Sequence, residues 1–148
     1  MEKLPTIFVR LLKGSLFSDA ETLAKEIGMT LTASPPNPGG DYKWFSYSCL
    51  PTCEEVNVME EFGQLRRTEC LIERAKAIDG DLLENWKRSL VNELGTPIFS
   101  GDFRDEGFPD DEEGLHAATW SIDEREVVLL NRKDDDETPA ELVLVVKQ

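Results

Sequence analysis

Two stretches of the chain carry apolar residues at helical spacing. In the first, Leu23, Ala24 and Ile27 form a stripe behind Ser18 and Glu21, which stand at capping-box spacing, and Gly28 follows as a left-handed stop. The second opens at Asp81 with Glu84 three residues on. Leu82, Leu83, Trp86, Leu90, Val91 and Leu94 recur one helical turn apart, Gly95 ends the pattern and Pro97 blocks its resumption.

Elsewhere the period falls to two. Residues 42–50 are rich in aromatics, and 54–61 set Val56 and Val58 on one face. Residues 64–73 alternate Thr68, Cys70 and Ile72, which predicts a strand; Leu71, Ala75 and Ile78 fit a helix, so both readings stand, with strand preferred. Three more strands are expected at 115–122, 125–132 and 140–147, with Asp123-Glu124 as a tight turn between the first two. Val127 to Leu130 and Leu142 to Val146 are apolar at every position, so both faces there need cover. Cover from within a monomer is the favoured expectation; a dimer is the alternative.

The pattern repeats. Both helices end in L-x-x-E-[IL]-G, at Leu23–Gly28 and Leu90–Gly95. Each is followed by a loop and then a strand bearing a tryptophan, Trp44 or Trp120. The predicted fold is α+β: two tandem α-β-β-β units, about 15–76 and 79–148, forming an antiparallel sheet packed against two helices in a single domain, 1–148. Trp44, Trp86 and Trp120 are all expected to be buried.

Charge changes the picture. Thirty acids against sixteen bases give a net −14 in 148 residues. Residues 100–148 hold 15 acids and 5 bases, a net −10. Such a field repels nucleic acid and anionic membranes and speeds encounter with basic proteins. The acids gather in the connections around the last three strands, and the first and third connections of a meander share an end. Candidate contacts with a basic protein partner are therefore Asp102, Phe103, Asp105, Glu106, Phe108, Asp110, Asp111, Glu112 and Glu113 on one loop, and Asp134, Asp135, Asp136 and Glu137 on the other. The two phenylalanines either anchor a partner or tuck into the core.

Residues 102–113 place acids and Gly107 as a calcium loop would. Arg104 in a liganding position, Pro109, and a strand where a helix should begin argue against that reading. Cys49, Cys53 and Cys70 are odd in number, and the apolar residues Ile7 to Leu12 are broken by Arg10 with no cleavage site. Reduced thiols in a cytoplasmic protein are expected. A metal site of Cys49 and Cys53 with Cys70 or His116 has the wrong spacing for a knuckle. One histidine and no nucleophile, phosphate-loop or metalloprotease motif predict no enzyme, no cofactor and no metal. No run of about 18 apolar residues predicts no membrane span, and no basic–aromatic patch predicts no direct nucleic-acid contact.

The stretch 90–148, with Leu94-Gly95-Thr96-Pro97, Trp120 and the closing apolar strand Leu142 to Val146, resembles bacterial toxin immunity proteins in layout. That resemblance implies a small acidic inhibitor that neutralises a basic toxin by protein–protein interaction. Two other functions fit the composition: a secretion chaperone of the type III kind, and a DNA mimic that inhibits a nucleic-acid-binding protein.

Overall fold

In the computed structural model, which describes residues 4, 6–13, 16–36, 39–49, 53–133 and 135–148, the alternating segments become one antiparallel sheet. The elements are α1 (Thr6–Leu12), α2 (Ala20–Ile27), β1 (Thr30–Ala33), β2 (Tyr42–Cys49), β3 (Cys53–Glu61), β4 (Gln64–Ala75), α3 (Gly80–Leu94), β5 (Phe99–Asp102), β6 (His116–Ile122), β7 (Arg125–Arg132) and β8 (Ala140–Lys147). The strand order is β1-β2-β3-β4-β8-β7-β6-β5. Two four-stranded meanders thus meet at their last strands, β4 and β8. The fold is α+β and mostly sheet.

All three helices lie on one face, α2 over β2 and β3, α1 over β8, and α3 over β6. Beneath them Ile7, Phe8, Leu11, Leu23, Val56, Val58, Leu90, Trp120, Leu129, Leu142 and Leu144 form the main core, each fully or almost fully buried. A second, smaller core of Ala117, Val128, Leu130, Val143 and Val145 lies on the opposite face. The unbroken apolar runs of β7 and β8 therefore have cover on both sides within one chain.

Local chemistry fixes the helix ends. The Asp19 carboxylate accepts from the Thr22 amide at 2.8 Å, and Glu60, buried on β3, accepts from the Ala20 amide at 2.7 Å, pinning α2 to the sheet. Asp79 caps α3 through the Asp81 amide at 2.7 Å. The caps are thus Asp19 and Asp79, not Ser18 and Asp81, because their carboxylates reach the first free amides. Gly28, with φ +84°, ends α2.

Residues 64–73 lie in a strand, the preferred of the two readings, since pairing with β3 on one side and β8 on the other satisfies their backbone. Three other expectations change. Among the described residues there are three helices, not two: α1 has seven residues, too few for a periodic signal, and is held by burial of Ile7, Phe8 and Leu11. The described residues form eight strands, not six; β1 and β5 are four-residue edges with no burial alternation to read. Trp86 and Trp120 are buried, but Trp44 is 43% exposed. Trp44 pairs with Met59 on the face away from the helices, whereas Trp120 pairs with the core residue Val127, so the two tryptophans point to opposite faces.

The β6–β7 hairpin turns on Asp123 and Glu124, with φ of 43° and 65°. Both angles favour glycine or asparagine. Glu124→Gly should therefore raise stability by about 0.5–1 kcal/mol, the relieved left-handed strain exceeding the added chain entropy. Thermal denaturation checks this; a lower Tm would count against the strain.

Candidate functional site

The acidic connection between β5 and β6 does not hang in solvent. Residues 103–115 fold back over the second face of the sheet and cover the smaller core. Phe108 packs against that core and meets Phe99 edge-on, ring centres 6.1 Å apart. Glu112 is the loop's other inward residue, with a side chain only 1% exposed. Its carboxylate accepts from both terminal nitrogens of Arg67 at 2.6 and 2.5 Å and lies 2.7 Å from Lys147. Close approach also needs Gly114: a β-carbon there would fall 2.7 Å from the Asn131 carbonyl oxygen.

The pins belong to a longer network. Arg67 also pairs with Glu69, Glu69 with Arg132, Arg132 with Glu141, Glu141 with Arg74, and Arg74 with Glu55, at 2.6–3.0 Å. Lys147 adds Asp111 at 2.8 Å. Burial alone would push the Glu112 carboxyl up, but Arg67 and Lys147 more than offset it and hold it below the usual glutamate range. Burial likewise disfavours the Arg67 charge, and its hydrogen bonds and charge pairing with Glu112 and Glu69 reverse that, raising its pKa. Hydrogen bonding to Lys147 lowers Asp111.

With its underside anchored, the loop turns other side chains outward. Phe103 is 55% exposed, the Arg104 guanidinium 5.5 Å from its ring centre. Asp105, Glu106, Asp110, Asp111 and Glu113 are exposed. The Asp102 carboxylate accepts from the Arg104 amide at 2.9 Å, and Asp105 accepts from the Asp102 amide at 2.8 Å, so the start of the loop is ordered by its own acids. A cavity of about 660 Å³ opens among Phe103, Asp105, Glu106, Phe108, Asp110, Glu113 and Lys133.

Lys133 begins the β7–β8 connection, so the two acidic loops meet at one end of the sheet. In the second loop Asp135 accepts from the Glu137 and Thr138 amides, each at 2.8 Å, while Asp136 and Glu137 are exposed. Asp134 lies outside the described residues. Of the candidate contacts, then, Glu112 and Phe108 face inward and the others that are described gather on an anchored acidic surface. Arg67 and Lys147, which set that surface in place, are invisible as such in the sequence; each reads as an ordinary polar position on a strand.

Compared with family models, with curated proteins and with solved structures, the chain matches none.

Among the described residues no group of three or more His, Cys, Asp or Glu converges as a metal site. Cys49 and Cys53 pair across β2 and β3, and the Cys53 thiol donates to the Glu55 and Leu71 carbonyls at 3.1 and 3.4 Å. All three cysteines are buried and none forms a disulfide. His116 stands across the sheet on β6, with its Nε2 3.5 Å from the Lys87 ammonium, and burial and that charge lower its pKa. No helix among the described residues is long and apolar enough to cross a membrane.

Proposed function

We propose that this chain is a non-enzymatic binding protein whose acidic loop surface engages a basic protein partner, and that it acts as an inhibitor of the kind the immunity-protein resemblance suggests. The observation that carries this reading is the anchoring of residues 103–115. A loop that served only solubility would need no buried bidentate ion pair to hold it. Here Glu112 and Phe108 fix the loop while Asp105, Glu106, Asp110 and Glu113 face outward around an exposed Phe103. Pre-ordered carboxylates lose little freedom on binding, which favours affinity. No cofactor or metal is required.

We also read the chain as a duplicated unit. A helix followed by a four-stranded meander occurs twice, and the two copies join through β4 and β8. The units are then α-β-β-β-β, with α1 as an addition. The secretion-chaperone and DNA-mimic readings draw on the same acidity but have no further observation in their favour.

The test is affinity capture from the native cell with the parent protein and with a variant carrying Asp105→Lys, Glu106→Lys, Asp110→Lys and Glu113→Lys. Mass spectrometry should find a basic protein retained by the parent, released by salt and lost with the variant. A partner held equally by both would remove the loop from the interface.

A further inference from the structure

The acidic loop covers only half of the second sheet face. On the other half, three exposed large apolar side chains stand together. Tyr42 is 61% exposed, Phe62 69% and Trp44 43%. The Tyr42 and Phe62 rings lie 6.3 Å apart, and Trp44 stands two residues along β2 on the same side as Tyr42.

Phe62 occupies this place at a local cost. It forms the β3–β4 turn with Gly63, at φ of 51° and 77°. Asparagine or glycine suits the first position of such a turn far better than phenylalanine. Among the described residues, Phe62 packs in neither core cluster.

The corner is continuous with the acidic surface. Lys147, Arg67, Met59 and Trp44 are register partners on four adjacent strands, β8, β4, β3 and β2. Glu112 sits on the first two of them. Trp44 therefore lies two strand spacings, about 10 Å, beyond the ion pair that ends the loop. Asp41 precedes Tyr42 and Glu61 precedes Phe62 in the chain, Glu61 is the register partner of Tyr42 and lies 3.9 Å from Arg66, and the chain carries a net −14.

We propose that Tyr42, Trp44 and Phe62 form a docking site for an arginine-bearing segment of the basic partner. The inference rests on the reading of this chain as a binder of a basic protein and assigns it a second contact. Guanidinium groups stack on aromatic faces while pairing with nearby carboxylates, and this corner offers both. A second copy of the chain is a poor occupant, since both copies would carry a net −14.

The experiment uses the full chain and a labelled nona-arginine peptide, with nona-lysine as the comparison. Trp86 and Trp120 are 6% and 1% exposed, so acrylamide quenching of the native protein reports chiefly on Trp44. Nona-arginine should shield that fluorescence. Phe62→Asn should lower nona-arginine affinity about tenfold, as loss of an aromatic anchor does, while leaving Tm unchanged or higher. Trp44→Ser should weaken nona-arginine binding similarly, and nona-lysine binding should be weaker and indifferent to both changes. Unchanged nona-arginine affinity in both variants would overturn the proposal. So would a dimer, seen by sedimentation, that Trp44→Ser abolishes. The loop variant separates the two readings. If it alone loses the peptide, the corner fails and the acidic-loop reading stands; if the corner variants alone lose it, the corner stands and the loop reading fails.

Discussion

Trp120→Ala is expected to lower the unfolding free energy by about 3–5 kcal/mol, as for a large aromatic removed from a packed core. Trp120 is 1% exposed and faces the helices from β6. Its indole Nε1 donates to the Gly95 carbonyl at 2.9 Å, where α3 ends. Truncation leaves a cavity between sheet and helix and strips a cap from that helix terminus. Trp120→Phe, which keeps most of the volume but not the donor, should cost less. Denaturant unfolding separates the two, and an alanine variant within about 1 kcal/mol of the parent would contradict the assignment of Trp120 to the core.

Glu112→Ala should cost about 3 kcal/mol, the lower end for breaking a buried ion pair, because Arg67 keeps Glu69 and Lys147 keeps Asp111. The effect should also be local. Without its anchor the loop lifts, and Val128, Leu130, Val143 and Val145 gain exposure, which dye binding would report. Replacing both partners, Glu112→Leu with Arg67→Met, should cost less than Glu112→Ala alone. Acid should act in the same direction. The folded Glu112 pKa is lowered below the ordinary glutamate value of 4.5, so its stabilisation is complete above that value. It is lost as pH falls through the lower folded value. A loop that stays closed in the alanine variant would show that Phe108 holds it unaided.

How far the sequence could foretell this depended on whether burial alternated along a segment. β7 and β8 are buried on both faces and read as unbroken apolar runs, and α3 shows its stripe and its glycine stop plainly. The edge strands β1 and β5 leave no such trace, and α1 is too short to show a period. The acidic loop was legible in composition but not in posture. Nothing in a run of acids marks Glu112 as the one that meets Arg67, forty-five positions away, or marks Phe108 as inward and Phe103 as outward. Trp44 misled because the two Trp strands match in order but not in the face that each tryptophan takes.

The most direct test of the acidic surface is its binding kinetics with the captured partner at two salt concentrations. The parent's association rate should fall steeply with salt, because attraction between exposed charges is screened within about 8 Å at physiological ionic strength and about 3 Å at 1 M. The variant Asp105→Lys, Glu106→Lys, Asp110→Lys, Glu113→Lys should associate slowly at both. Phe103→Ala should instead speed dissociation, with a loss on the order of 2 kcal/mol. Equal association rates for the parent and the folded charge-reversed variant at low salt would contradict the account.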